Sequence, residues 1–221
     1  MADEALNIEP VVDWLLAGAR PARLPQDVLA ATCRRTVAAG LPLYRVGVFV
    51  RTLHPNVLGR AFIWQADTGA VEMTEAAHDL LESETFLKSP IRVVFGENVE
   101  VHRRLADPAC PMDFPILADL RKEGATDFLA APLRFVNGEV HAASFATRRA
   151  GGFRDDELAA LRRLLAPFTR MVEIFGNMQK ARNILDAYLG PNAGEKVLAG
   201  RIKRGDGEDI DAVIWFCDLR D

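Results

Sequence analysis

The feature that most constrains the fold is an apolar repeat in the last third of the chain. Large apolar residues recur there in alternating steps of three and four, at Leu158, Leu161, Leu165, Phe168, Val172 and Phe175. This spacing places them along one face of an α-helix and is typical of the seam of a coiled coil. A helix that packs on the core of its own domain uses similar spacing, so this half of the repeat fits either role. The sequence therefore predicts a long helix with one covered face.

The repeat continues beyond the part that a preceding domain would cover. Its later members are Met178, Ala181, Leu185 and Tyr188. The step from Phe175 to Met178 is three where the alternation requires four, and such a deletion overwinds a coiled coil locally. Gly190 and Pro191 end the helix. We expect a homodimer joined along this helix, through Leu161, Leu165, Phe168, Val172, Phe175, Met178, Leu185 and Tyr188.

The chain ahead of this helix is predicted to contain an antiparallel sheet. Val46, Val48 and Val50 alternate along one strand, and Asn137-Gly138 is a strong signal for a tight hairpin. Strands are predicted over 44–53, 57–65, 70–73, 127–135 and 139–146, and helices over 25–39 and 115–122. Strands and helices mixed in this way indicate an α+β fold, with helices flanking the sheet.

Residues 76–112 have the length and the punctuation of a cover over one face of the sheet. A short helical piece is predicted over 76–81. Ser89-Pro90 then opens a loop or a short strand that contains Val93, Val94 and Phe95.

The order of these elements, together with the segment at 151–161, resembles a GAF-type sensor domain. The segment reads Gly-Gly-Phe-Arg-Asp-Asp-Glu-Leu-Ala-Ala-Leu, with a turn phenylalanine and acidic residues ahead of a leucine face. GAF domains commonly enter their last helix in this way. PAS domains share the general architecture, but they usually lack the long N-terminal helix that packs beside the last one. The resemblance implies a sensor that binds its ligand between the sheet and the cover.

Aromatic and methionine side chains near that region are the candidates for a ligand pocket. They are Phe62, Trp64, Phe95, Met112, Phe114 and Phe128. The same residues could equally fill the space as ordinary core. His54 and His102 could contact a haem or an anionic ligand, although a loop histidine is more often a surface residue. Cys110 could attach a bilin or act as a redox switch, but neither family signature is present. The sequence does not identify the ligand.

The last eleven residues carry a second resemblance. Residues 212–217 are a short apolar run that predicts a buried strand, and Asp218 follows at its carboxyl end. Together with residues 189–209, this stretch resembles the entry into the catalytic domain of class III adenylate and guanylate cyclases. Their first strand ends in Phe-x-Asp-(Ile or Leu)-Arg. The resemblance implies that Asp218 is the first of two metal-binding aspartates and that Leu219 lends its backbone carbonyl. Asp221 stands where that family often has glycine.

What this second resemblance implies concerns a longer protein. The full-length enzyme would convert ATP to cyclic AMP and pyrophosphate with Mg²⁺ or Mn²⁺, and GTP is not excluded as substrate. The remaining catalytic residues would follow residue 221, so this chain alone is expected to have no activity and no cofactor. The domains are then a sensor, a signalling helix, a transducer and the first catalytic strand, over 1–155, 156–189, 190–210 and 211–221. The transducer would make its apolar contacts through Val197, Leu198 and Ile202.

Composition and charge exclude several other classes of protein. A net charge of −4 argues against a nucleic-acid surface, and no apolar run approaches the roughly 20 residues of a membrane span. Three well-separated cysteines and an acidic N-terminus without a signal-peptide core lead us to expect reduced thiols and a cytoplasmic location. Two alternatives stay open at this point: a ligand-free structural dimerisation domain of a cyclase, and a GAF-type sensor of another signalling protein.

Overall fold

The computed structural model describes residues 6–52, 57–77, 82–201, 213 and 215–218. The chain divides into two compact units, Met1–Lys180 and Ala181–Asp221. The first contains a six-stranded sheet flanked by helices, which confirms the α+β fold class. The second contains the end of the longest helix and one short helix. Within the described ranges, no helix is both long enough and apolar enough to cross a membrane.

Most predicted elements are present, with ends shifted by a few residues. The helices are α1 (Glu9–Leu16), α2 (Pro25–Ala38), α3 (Glu84–Leu87), α4 (Pro90–Glu97), α5 (Pro115–Lys122), α6 (Asp155–Leu189) and α7 (Pro191–Leu198). The strands are β1 (Arg45–Arg51), β2 (Gly59–Gln65), β3 (Val71–Ala76), β4 (Val101–Arg103), β5 (Asp127–Arg134) and β6 (Val140–Thr147).

All neighbouring strands of the sheet are antiparallel, in the order β3-β2-β1-β6-β5-β4. β1 lies near the centre, where Gly47 pairs with Ile63 of β2 on one side and with Ser144 of β6 on the other. The predicted hairpin between β5 and β6 is confirmed. It turns at Asn137-Gly138, and Gly138 has a φ of 85°, a conformation that glycine adopts at little cost.

One face of the sheet is covered by α1, α2 and α6. Because side chains alternate along a strand, every second residue points to this face. Those residues are large and buried: Val46, Val48, Phe62, Trp64, Leu129, Leu133 and Phe145. Apolar residues of the three helices pack on them, which makes this side the main hydrophobic core of the first unit.

The other face carries the cover, where one prediction was wrong. Residues 90–97 form helix α4 rather than a loop or a short strand. The Ser89 hydroxyl accepts a hydrogen bond from the Arg92 N–H (3.2 Å), and Pro90 occupies the first turn. Both features stabilise the start of a helix. Ile91 and Val94, three residues apart, therefore form the buried face of α4, and the helix contacts β5 and β6.

Two smaller corrections concern the ends of this cover. The helical piece predicted over 76–81 is wrong at Ala76, which ends β3, and the residues from 78 to 81 lie outside the described part of the chain. β4 was not predicted, because three residues are too few to show an alternating pattern.

The first half of α6 packs on the core of its own unit. Leu161 is fully buried and Phe168 is 4% exposed. Leu165, Val172 and Phe175 are partly buried against the same cluster. Leu161 and Phe168 therefore contribute to the core of one chain, and the dimer contact predicted along this half of the helix stays a prediction.

The second half of α6 is different in its exposure. Met178 is 58% exposed and Tyr188 is 85% exposed, while Leu185 is partly buried. Ile174, which the repeat did not include, is 51% exposed. Apolar residues therefore remain at the surface of the predicted signalling helix only beyond its core-facing half.

The helix ends as predicted, and the segment after it is partly helical. Gly190 has a φ of 77°, and α7 follows directly. Of the predicted transducer contacts, Leu198 is 46% exposed and Ile202 lies outside the described residues. Residues 213 and 215–218 have no helix or strand, and Trp215 is 84% exposed. Residues 212 and 214 lie outside the described part of the chain, so the strand over 212–217 stays a prediction about a longer protein.

Candidate functional site

A cavity of about 550 Å³ lies between the sheet and the helices α3, α4 and α5. The sheet contributes Arg45, Phe49, Ile63, Phe128 and Ser144 to its lining. These residues come from four adjacent strands, β1, β2, β5 and β6, so the floor of the cavity spans the middle of the sheet. A cavity of this size suits a small organic ligand.

Small side chains occupy part of this face of the sheet, and of these Ser144 lines the cavity. Ala130, Ala142 and Ala146 point to the same side as Ser144. Gly47 lies on the neighbouring strand β1, directly opposite Ser144. A Cβ at Gly47 would lie 2.7 Å from the Ser144 Oγ and 2.8 Å from Cε2 of Phe49, closer than real contacts allow. Glycine is therefore required for Ser144 and the Phe49 ring to occupy their positions on the floor.

Charged residues stand around the cavity, and most of them are paired. Glu84 and Lys88 form an ion pair one turn apart on the cover. Asp119 accepts a hydrogen bond from Lys122 (3.2 Å). The side chain of Arg45 makes no hydrogen bond or ion pair with any residue in the described ranges. It is the cation of this cavity whose charge is left without a partner there.

Two helices of the cover begin at the cavity. Pro90 and Ile91 at the start of α4 line it, and so do Pro115 and Ile116 at the start of α5. Each helix has eight residues. No side chain caps the first turn of α5, whose N-cap residue is Phe114. Because the N-terminus of a helix carries a partial positive charge, both helix ends favour an anion in this space.

The structure brings one of the predicted aromatic residues to the cavity. Phe128 is 3% exposed and lines the floor. Phe62 and Trp64 lie on the opposite face, in the core with α1, α2 and α6. Their neighbour Ile63 points to the cavity instead. The prediction selected the aromatic residues of β2 but did not determine which residues of the strand face the cavity. Neighbouring residues of a strand point to opposite faces, so a step of one residue changes the face.

The other predicted pocket residues lie around the cover, outside the lining. Phe95 packs in the cover-side cluster, with the Arg51 guanidinium 4.8 Å above its ring. Phe114 lies beneath the Arg103 guanidinium at 5.7 Å, and Met112 is 36% exposed. His54 lies outside the described residues.

His102 takes part in a buried polar contact rather than in the cavity. Its Nε2 lies 2.8 Å from Oδ1 of Asp127, a fully buried carboxylate at the start of β5. The same carboxylate accepts the N–H of Phe128 (2.9 Å) and the N–H of Phe153 (3.0 Å). Phe153 lies two residues before α6. Asp127 therefore joins β4, β5 and the entry to the long helix.

A second buried carboxylate holds the beginning of α6. Glu157 is fully buried and pairs with Arg149. Its other oxygen accepts the N–H of Arg154 (2.8 Å), just before the helix. Arg149 also donates to the carbonyl of Gly152. These contacts tie the first turn of α6 to the segment that follows β6.

Neither of the other predicted sites gains support from its surroundings. Cys110 is half-buried, and the described residues include no group of three or more His, Cys, Asp or Glu side chains that could hold a metal ion. Asp218 is exposed, and Leu219 lies outside the described residues. Metal binding by Asp218 and Leu219 therefore stays a prediction about a longer protein.

Comparison with known proteins identifies the fold. No family model matches the sequence, and no curated protein matches it. Among solved structures, the phycoerythrobilin-bound GAF domain of a cyanobacterial phytochrome is 15% identical, over 79% of this chain and 99% of that domain, with a TM-score of 0.52. The GAF domain of a phosphoenolpyruvate-protein phosphotransferase from Coxiella burnetii is 13% identical, over 76% of this chain and 94% of that one, with a TM-score of 0.51. At these identities the likeness establishes the fold alone: the chain has a GAF-like fold, as its element order predicted.

The sequence prediction included none of the lining residues of the cover, and on the sheet it missed four: Arg45, Phe49, Ile63 and Ser144. A signal for them was present in β1, where Arg45, Gly47 and Phe49 alternate with the three valines. When a sheet is covered on both faces, the side of a strand that carries a glycine and a charged residue is filled less completely by side chains than the other side. Ser144 has no comparable signal, because an alanine-rich strand reads the same on both faces.

Proposed function

We propose that this chain is the regulatory sensor of a longer signalling enzyme and that a small molecule in the cavity is its input. The observation that carries this proposal is the cavity itself, with the Arg45 side chain and the Ser144 hydroxyl beside apolar residues of the sheet. A concave space of about 550 Å³ that combines apolar surface with a few polar groups is typical of a site for a small molecule. The similar cyanobacterial domain is bound to phycoerythrobilin, which supports a ligand role for this fold here.

The output of the sensor is proposed to leave through α6. Asp127 and Glu157 tie the start of α6 to the strands that form the floor of the cavity. The first half of the helix then lies on the opposite face of the same sheet. A ligand that displaces the sheet would therefore also displace α6, which packs directly on it. The shift it can produce is limited by its differential affinity for the two states.

We further propose that α6 joins two copies of the chain in a parallel coiled coil. The exposed apolar seam begins at Ile174 and continues at Met178, Ala181, Leu185 and Tyr188, in steps of four, three, four and three. Phe175 packs on the core. The seam therefore does not continue the row of residues that faces the core, but follows the neighbouring row of the helix that begins at Ile174. With Ile174 in place of Phe175, the repeat has no missing residue and the overwound step is not needed.

The catalytic output is proposed to be a class III nucleotide cyclase that makes cyclic AMP from ATP. This rests on the resemblance of residues 189–221 to the entry of that catalytic domain. Asp218 and the carbonyl of Leu219 would contribute to a site for Mg²⁺ or Mn²⁺ in the full-length enzyme. The described residues include no group of three or more His, Cys, Asp or Glu side chains that could hold a metal ion, so the site would require residues of the catalytic domain. Active sites formed between two such domains would make dimer geometry the controlled variable.

One experiment on the full-length protein tests both the catalytic and the dimer assignments. Asp218→Ala should abolish cyclic AMP formation and leave the protein dimeric, because it removes a metal ligand outside the seam. Leu185→Glu should also abolish activity, but by making the protein monomeric, since it buries a charge in the seam. Cyclic AMP production with Mg²⁺ or Mn²⁺ and light scattering are the two measurements.

Asn177→Glu is the matched control, because Asn177 is exposed and lies beside the seam. It should change neither activity nor mass. An Asp218→Ala protein that retains more than a few per cent of activity would show that Asp218 is a structural acid. A Leu185→Glu protein that stays dimeric and folded would place the contact between copies elsewhere.

A further inference from the structure

Two polar side chains of the cavity have no partner among the described residues. Arg45 on β1 and the Ser144 hydroxyl on β6 make no hydrogen bond or ion pair within those ranges. Ser144 is 6% exposed, and its Oγ points over Gly47 on the cavity floor. Because Ser144 lines the cavity, its hydroxyl is placed to donate a hydrogen bond to a molecule there.

The charge around these two groups is positive. The acidic residues of the lining, Glu84 and Asp119, already have Lys88 and Lys122 as partners. That leaves the guanidinium of Arg45 as the unbalanced charge. The first turns of α4 and α5 add the partial positive charge of two helix N-termini at the same cavity. A guanidinium presents paired N–H donors that match a carboxylate or a phosphate.

The lining also has an apolar part, beside the polar residues of the cover. Phe49, Ile63 and Phe128 form the floor beside Arg45, and Ile91 and Ile116 face them from the cover. An apolar group of a ligand placed on these side chains would be removed from water, which favours binding. The cavity thus offers one charged end and one apolar end.

We propose that the ligand of this cavity has an apolar body and one anionic group, a carboxylate or a phosphate. Arg45 binds the anionic group, and the Ser144 hydroxyl donates a second hydrogen bond to it. The apolar body lies on Phe49, Ile63 and Phe128. This inference rests on the proposed function, because it names the chemistry of the molecule that the sensor would read.

A pair of fluorescent dyes tests the charge requirement on the 221-residue chain. Anilinonaphthalene sulfonate carries an anionic group, and phenylnaphthylamine has the same ring system without it. The sulfonate dye should bind more tightly to the unaltered protein. Arg45→Gln should weaken the sulfonate dye about tenfold or more, as expected for a lost hydrogen bond to a charged group, and should leave the neutral dye within about twofold.

Arg163→Gln is the matched control for Arg45→Gln. Arg163 pairs with Glu9 on the helix side of the sheet, so its loss should change the binding of neither dye. Ser144→Ala should weaken the sulfonate dye by a smaller factor, about threefold, because it removes one neutral donor.

Gly47→Ala tests whether either dye enters the cavity at all. Its Cβ would displace Ser144 or the Phe49 ring, so both dyes should bind at least about fivefold more weakly. Ile63→Trp fills the cavity from β2 and should have the same effect if Gly47→Ala does not fold. Thermal unfolding identifies the folded variants.

The outcomes separate the two proposals. If the filling variants change the affinity of neither dye, the cavity is not a ligand site and the proposed sensor function fails with it. If they weaken both dyes while Arg45→Gln leaves the sulfonate dye unchanged, only the anion inference fails.

Competitors then distinguish the two anions. Displacement of the sulfonate dye by phenyl phosphate but not by benzoate would identify a phosphate, and the reverse would identify a carboxylate. Benzamide is the neutral control. If benzamide displaces the dye as effectively as both anions do, the proposal that the ligand needs an anionic group is overturned.

Discussion

The two faces of the sheet use the same strands for opposite purposes. On the side of α1, α2 and α6 the strands present Trp64, Phe62 and Phe145, and the space is filled. On the side of the cover they present Gly47, Ser144 and three alanines, and a cavity of about 550 Å³ remains. Because neighbouring residues of one strand face opposite ways, each strand has one row of side chains that fills the core and one row that faces the cover.

The difference is one of packing. The filled face holds α6 by the close packing of large side chains. The open face has fewer buried side chains beneath the cover. The comparison predicts that residues of the two faces differ in their contribution to stability even when they are adjacent in sequence.

The largest effect is expected at Phe145, on the filled face. Phe145→Ala should lower the free energy of unfolding by about 3–5 kcal/mol, because it removes a buried ring and leaves a hole. Its neighbour Ser144 faces the cavity, and Ser144→Ala should leave stability unchanged or slightly higher, since its hydroxyl has no partner in the described ranges. Urea unfolding measures both. Equal losses for the two variants would break the distinction between the faces.

A smaller effect is expected at Asp127, which joins the sheet to the start of α6. Asp127→Asn should lower the free energy of unfolding by about 2 kcal/mol. The substitution replaces one accepting carboxylate oxygen with a donating NH₂ group, which would then face a backbone N–H instead of accepting a hydrogen bond from it. Asp119→Asn at the rim of the cavity is the comparison, and it should have almost no effect since Asp119 is exposed. Asp127→Asn with full stability would mean that the buried contact does not hold α6.

The smallest effect is expected from the ionisation of His141. This residue is 1% exposed, and burial lowers the pKa of its ring, although Glu139 opposes the shift. Its Nδ1 accepts the Arg51 N–H (3.1 Å), so the neutral ring is the form that fits. A pKa lowered on folding means that the unfolded chain takes up the proton first. Stability is therefore complete above the ordinary histidine pKa of about 6.5 and is lost as the pH falls through the folded-state value.

His141→Leu isolates this contribution. The variant should lose less of its free energy of unfolding between pH 7.5 and pH 5.5 than the unaltered protein does. Unfolding in urea at a series of pH values gives the two slopes. Parallel slopes would show that another group governs the acid sensitivity of this face.

Much of the fold follows from local patterns in the sequence. Asn137-Gly138 specified the hairpin of β5 and β6, and the alternating valines specified β1. The step pattern after Leu158 specified α6. In contrast, α4 was read as a strand or loop, because Val93, Val94 and Phe95 favour strands when the capping serine ahead of them is overlooked.

The candidate site was less accessible to sequence reasoning. Choosing aromatic residues identified Phe128 but also Phe62 and Trp64, which face the other way. Arg45 and Ser144 are about a hundred residues apart, and only the pairing of β1 with β6 makes them neighbours. Residue type alone indicates which side chains are apolar, and it does not indicate which of two covered faces they occupy.

By itself the sequence determined the elements, their order and the length of the helix that leaves the sensor, because hydrophobic period, capping residues and turn residues act over a few positions. Tertiary structure decided which row of each strand is filled and which is open. It also decided that Leu161 and Phe168 belong to the core of one chain, whereas Ile174 and Met178 stay at the surface. The physical reason is that burial depends on what packs against a face, and the same helical or alternating spacing is compatible with either partner.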